Sequence, residues 1–244
     1  RIGDVSEEVT GSGTVASPDA MPGETAGIKV DCKSALQTAD IFRFTAVDHH
    51  GNELYTWTWP VVQPDEKAVE FTKISENSAE PEINEDEIAV TASANGIEVA
   101  FSKENGTLLS VKNKKGTVSF NGGPTPAGVE SKITATEWKK DAEGDFILEV
   151  TTDKYPNRMT WILHKNGLLS LEASSLNNWM NDVDFVGISF NYPEEKCEGV
   201  KWMGRGPYRV WKNRLKGSNF GVWQKAYNNT ITGESFNNLV YPEF

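Results

Sequence analysis

The 244-residue sequence predicts an all-β protein of antiparallel strands. Three observations predict it. From Ile28 to about Asn191, short runs of β-branched and aromatic residues alternate with polar ones. Asn-Gly occurs at Asn95-Gly96, Asn105-Gly106, Asn121-Gly122 and Asn166-Gly167, and this dipeptide favours the positive φ of tight hairpin turns. No stretch of helical length sustains an apolar period of about 3.6 residues.

The elements follow in order. Residues 1–25, with GSGTVASPDAMPGE, are rich in Gly, Ser, Thr, Glu and Pro and read as an irregular approach. IKVDC, DIFRFTAVD and NELYTWTWPV then read as strands, with HHGN (His49 to Asn52) as a turn and Pro60 and Pro64 closing the unit. Residues 73–87, KISENSAEPEINEDE, are too acidic to bury an apolar face and read as an exposed connection. From Ile88 the alternation returns through IAVTAS, IEVAF, TLLSVKN, TVSF, ITATEW, FILEV, RMTWILH, LLSLEAS and DFVGISF. In residues 158–174 it sets Met159, Trp161 and Leu163 on one face and Thr160, Ile162 and His164 on the other. Many short, regularly spaced strands predict a sandwich. The pattern divides the chain into 1–72, an irregular N-terminus and small β module; 73–87, a linker; and 88–244, a large β-sandwich.

Charge and composition narrow the function. Lys and Arg number 24 against 35 Asp and Glu, a net charge of −11. Nucleic acid is an excluded partner, because binding it relies on cations that neutralise phosphates. An anionic membrane surface is disfavoured for the same reason, and no apolar run approaches the ~18 residues of a span. A neutral partner such as a sugar carries no such penalty. Arg1 in place of an initiator methionine and the linker-like start point to a processed or excised piece. Cys32 and Cys197 form no framework, though a single bridge stays open.

No nucleophile elbow, phosphate-binding loop or metal-ligand spacing is present, so no cofactor or metal is expected. His49-His50 reads as a solvated turn, and the acidic pairs and runs at Glu7-Glu8, Glu85 to Glu87 and Glu194-Glu195 read as solvated faces. The tail stands out. Eight Lys/Arg lie between Lys196 and Lys225 with one acid, Glu198, among them. Trp202, Arg205, Tyr208, Trp211, Arg214 and Trp223 are the candidate carbohydrate-binding residues, since pyranose C–H faces stack on rings and hydroxyls bond to charged groups. The competing reading places the tryptophans in the core. It uses Arg205 and Arg214 to satisfy carbonyls of the Gly-x-Gly-Pro turn.

WMGRGPYRVWKNR, residues 202–214, resembles the W-x-G-x-G-P-x-x-x-[YW]-x-D-R segment in the last domain of family 2 glycoside hydrolases of β-galactosidase type. Trp202, Gly204, Gly206, Pro207, Trp211 and Arg214 match it, and Asn213 stands where aspartate is usual. IEVAFSKENGTLLSVKNKKGTVSFNGGP, residues 97–124, resembles that domain's opening hairpin, although TPAGVE follows where the family has FWR-A-P-T-D-N-D. Residues 241–243, YPE, resemble the start of a later family run. FRFTAVDHHGNELYTWTWPV resembles late strands of the immunoglobulin-like domain before it.

The resemblance implies a galactose-mutarotase-like supersandwich preceded by a small immunoglobulin-like module. It implies a non-catalytic C-terminal region that packs on the catalytic barrel of a parent enzyme, shapes its sugar site or assists homo-oligomerisation. The parent reaction would be retaining hydrolysis of β-galactosides or related glycosides. By analogy with exported relatives the setting would be periplasmic or extracellular. No segment resembles the barrel that carries the two catalytic glutamates, and a barrel alone takes ~250 residues. Two alternatives stand beside this reading. One is a carbohydrate-binding module acting by itself, for which exposed Trp202, Trp211 or Trp223 would speak. The other is a sugar epimerase with His164 as its base.

Overall fold

The computed structural model describes residues 2–3, 6–73, 78–174, 186–207, 213, 215 and 217–227. In chain order the first elements are β1 (Ile2–Gly3), β2 (Ser6–Glu7), α1 (Lys33–Leu36), β3 (Ile41–Val47), β4 (Glu53–Pro60) and α2 (Pro64–Thr72). Next come β5 (Glu82–Glu85), β6 (Ala89–Ala94), β7 (Ile97–Ser102), β8 (Leu108–Asn113), β9 (Gly116–Val118) and β10 (Asn121–Ala127). Then follow β11 (Ile133–Lys140), β12 (Phe146–Thr152), β13 (Arg158–Leu163), β14 (Leu169–Ser174) and β15 (Gly187–Asn191). A 3-10 turn, Glu194–Lys196, precedes β16 (Gly199–Gly206) and β17 (Asn219–Ala226). Every pairing among the described strands is antiparallel, and the protein is all-β as its alternation predicts.

The chain forms two compact units, residues 72–197 and residues 1–71 with 198–244. The first is a β-sandwich. One sheet runs β5-β6-β7-β8-β9 and the other β11-β12-β13-β14, and β10 pairs with β15 beside them. Val90, Ala92, Val99, Phe101 and Leu108 of the first sheet meet Phe146, Leu148, Val150, Met159, Trp161 and Leu163 of the second in one core. Alternation produces this directly. In β13, Met159, Trp161 and Leu163 are buried and Arg158, Thr160 and Ile162 are not.

Asn95-Gly96 closes β6 to β7 with both residues at positive φ (46° and 79°), as a two-residue hairpin turn requires. Asn121-Gly122 does something else. It opens β10 at a break in register, and a Cβ on Gly122 would run into the Asn191 amide of β15. The segment read as an exposed connection contributes β5, a polar edge strand that pairs with β6 and turns Ile83 toward the core. Acidic residues at a sheet edge discourage pairing with another chain.

In the second unit, β3 and β4 form a hairpin and β16 and β17 form another. The β3–β4 turn is HHGN, as the sequence predicts. Asp48 holds it by accepting the His50 and Asn52 backbone N–H groups, while Gly51 takes φ 85°. Helix α2 was not visible in the apolar pattern. Its signals are local, with Pro64 at the first position and Asp65 and Glu66 in the first turn, where they favour the positive end of the helix. The buried Lys67 ammonium of that helix bonds Glu70 at 2.8 Å and Asp40 at 3.3 Å.

Several aspartates tie strand ends by accepting backbone N–H groups. Ala89 and Ile88 donate to Asp86, and Lys132 donates to Asp153. These bonds hold both carboxyls below the usual aspartate value of 3.8. A carboxyl more acidic when folded than unfolded stabilises the fold above the unfolded pKa, and that contribution disappears as pH falls through the folded one. The melting temperature is therefore expected to fall as pH drops below about 4. Asp86→Asn and Asp153→Asn should each flatten that fall in a calorimetric pH series.

Candidate functional site

The tryptophan-rich hairpin is built by register. Trp202 of β16 stands directly opposite Trp223 of β17, and both rings are half-buried. The Trp202 indole N–H donates to the Arg205 carbonyl at 3.1 Å. The Trp223 indole N–H donates to the Gly204 carbonyl at 3.1 Å. The Gly204 and Arg205 carbonyls thus each accept an indole N–H, where the sequence suggested guanidinium donors. The segment is also the end of a strand rather than a turn. The Arg205 guanidinium is exposed and has no hydrogen-bond or ion-pair partner among the described residues. Trp223 lies over Gly206, whose missing side chain makes room for the ring: a Cβ there would sit 2.6 Å from it. Tyr208, Trp211 and Arg214 lie outside the described residues.

The outer edge of β17 is closed by side chains of the same unit. The Phe220 N–H donates to Thr58 Oγ1 at 3.0 Å, and the Val222 N–H to Glu7 Oε1 at 2.8 Å. Glu7 also pairs with Arg43 at 3.0 Å. Capping of this kind protects edge N–H groups that would otherwise be open to another strand.

In the sandwich unit a groove of about 600 Å³ is lined by Ser110, Thr117, Ser119, Asn121, Asn191 and Tyr192, among others. Its lining carries hydroxyls and amides beside Leu109, Val118, Phe190, Pro193 and the exposed Tyr192 ring, and the Lys196 ammonium donates to the Ser119 hydroxyl. Such a surface suits a neutral polyhydroxylated ligand.

His164, the base of the epimerase alternative, stands in a third cluster, whose other members the sequence does not point to. His164 Nδ1 lies 2.6 Å from Asp145 Oδ2, and Nε2 lies 3.0 Å from Ser170 Oγ. The order carboxylate, imidazole, hydroxyl is that of an activated nucleophile. Here the three side chains come from the ends of neighbouring strands of one sheet, and the bonds extend into the adjoining turns. Asp145 Oδ1 accepts the Lys165 N–H, and the Asp145 N–H donates to Asp141 Oδ1. The network staples the β11–β12 turn to the β13–β14 turn. His164→Ala would strand the buried Asp145 carboxylate at a cost of about 1–3 kcal/mol. A drop of several degrees in melting temperature is the expected readout. Only a joint reading of three strands could have found this cluster, since Asp145 and Ser170 carry no local motif.

His49 and His50 are exposed, with ring centroids 3.6 Å apart. Among the described residues no group of three or more His, Cys, Asp or Glu is placed to hold a metal ion. Both cysteines are free thiols. No described helix is long and apolar enough to cross a membrane.

A family model described as beta galactosidase small chain matches residues 93–236. The match begins in β6 and extends past the end of β17. No curated protein matches the chain.

Proposed function

The chain belongs to the beta galactosidase small chain family, and from that premise we propose that it is the non-catalytic C-terminal part of a family 2 type glycoside hydrolase. In this reading a larger chain carries the barrel and its two glutamates, and retaining hydrolysis of a β-galactoside takes place there. The small chain packs against that barrel and forms one wall of the sugar site. The large sandwich is of galactose-mutarotase-like type, and the β3–β4 hairpin belongs to an immunoglobulin-like module. The family match is the observation that carries the proposal. The antiparallel architecture supports it, since none of the described strands pairs in the parallel manner of a (β/α)₈ barrel.

The test is association. The chain and the barrel-bearing large chain of the same source, mixed in equal amounts, should give a complex in native mass spectrometry whose mass is the sum of the two. Two separate species at micromolar concentration would contradict the proposal.

A second reading, a carbohydrate-binding module, is favoured by one observation. The groove between Ser110 and Tyr192 offers neutral hydrogen-bonding groups beside an aromatic ring. Arg205 and the rings of Trp202 and Trp223 would form a second contact surface for sugar. Saturation-transfer NMR with a panel of galactosides and β-linked oligosaccharides distinguishes the readings: signal from the chain alone favours the module.

A further inference from the structure

The β3–β4 hairpin is amphipathic in an unusual sense. The pairs Phe42–Trp59, Phe44–Trp57 and Ala46–Tyr55 set five aromatic rings and an alanine on one face. The pairs Arg43–Thr58 and Thr45–Thr56 set polar groups on the other. In an ordinary sheet the apolar face packs inward and the polar face meets water. In this unit the polar face makes the bonds, with Thr58 to the Phe220 N–H and Arg43 to Glu7. The aromatic face is left open, with Tyr55 37%, Trp57 41% and Trp59 47% exposed.

A sheet with one apolar face must bury it against another layer, and a lone two-stranded hairpin is marginal in water. We propose that the aromatic face of the β3–β4 hairpin is the docking surface for the large, barrel-bearing chain, which covers it with an apolar sheet or helix face. This rests on the small-chain reading above.

Three observations select that occupant. The first is ring geometry. Tyr55 and Trp57 are tilted by 59° and Phe44 and Trp57 by 45°, while Phe42 and Trp59 lie at 28°, so the five rings share no single plane and the surface is ridged. A flat, extended polysaccharide chain stacks best on coplanar rings, whereas a ridged apolar face interlocks with side chains of a protein. The second is charge. A second copy would bring two chains of net charge −11 together, and like charge of that size opposes self-association. The third is area. At 150–250 Å² per aromatic side chain, the open parts of the three most exposed rings amount to roughly 250 Å². That is close to a third of the ~800 Å² each partner contributes to a standard interface, and aromatic anchors near the centre dominate such interfaces.

The experiment is hydroxyl-radical footprinting of the wild-type chain, free and mixed with the purified large chain. A titration of Trp57→Lys and Tyr55→Lys accompanies it, with Ile88→Lys as a control on the exposed surface of the sandwich unit. Oxidation of Tyr55, Trp57 and Trp59 is expected to drop several-fold in the complex. The two hairpin variants should bind at least tenfold more weakly, and Ile88→Lys should bind like wild type. Footprinting of the wild type decides the matter even if a hairpin variant fails to fold. A complex in which the three rings stay as reactive as in the free chain overturns this proposal and leaves the small-chain reading standing. Absence of any complex overturns both. Protection of the rings by the chain alone at high concentration assigns the face to a second copy, and protection by β-linked oligosaccharides assigns it to sugar. Either result overturns the proposal.

Discussion

Phe101→Ala is expected to lower the melting temperature of the sandwich unit by roughly 10 °C. Phe101 is fully buried at the centre of the core, with its ring 5.4 Å from Trp161 and 6.0 Å from Phe146 across the two sheets. Removing the ring deletes its transfer free energy and leaves a void that rigid flanking strands fill only in part. Phe→Ala changes of this kind cost about 3–5 kcal/mol. Net stabilities of whole domains are of order 5–15 kcal/mol, so a large share is lost. Calorimetry measures it. A shift of a degree or less would mean that the two sheets do not pack through Phe101.

Gly206→Ala is expected to unfasten the β16–β17 hairpin. The new Cβ would sit 2.6 Å from the Trp223 ring, inside van der Waals contact, so the indole must move. When it moves, its hydrogen bond to the Gly204 carbonyl is lost. Overpacking costs about 1–3 kcal/mol and the broken bond about 1 more. Hydrogen exchange of the β17 amides should accelerate by one to two orders of magnitude, and the Trp223 fluorescence should shift to the red. Arg205→Ala is the contrast. Its side chain is exposed and unpaired among the described residues, so its stability change should stay within about 0.5 kcal/mol. If Arg205→Ala destabilised as much as Gly206→Ala, the guanidinium would be the structural donor after all.

These two changes mark where the sequence was legible. The core of the sandwich was readable because period-two alternation is a local signal: Met159, Trp161 and Leu163 announce a buried face without knowledge of any partner. Asn95-Gly96 announced its hairpin because positive φ is a property of those two residues. What failed to show depends on neighbours distant in sequence. That the indoles of Trp202 and Trp223 bond the Arg205 and Gly204 carbonyls depends on a hairpin register no single strand displays. The Asp145–His164–Ser170 staple needs three strands at once. The strand inside the acidic segment is held by pairing with β6, not by its own composition.

The β3–β4 hairpin is the sharper case. NELYTWTWPV reads as a strand beside the HHGN turn, and the structure has both. The alternation does not say which face the unit uses. In the structure the threonine face is tied to β2 and β17, and the tryptophan face is open. Of the six tail residues singled out as sugar contacts, Trp202, Arg205 and Trp223 are described. The indole N–H groups of the two tryptophans bond within their own hairpin, and Arg205 has no hydrogen-bond or ion-pair partner among the described residues.

The most direct measurement is the hydrolysis of a nitrophenyl β-galactoside by the chain alone, by the large chain alone, and by the two together. No turnover is expected from the chain alone, and the mixture should have at least tenfold greater kcat/KM than the large chain by itself. Turnover by this chain alone, or a large chain whose kcat/KM the addition leaves unchanged, would contradict the small-chain reading.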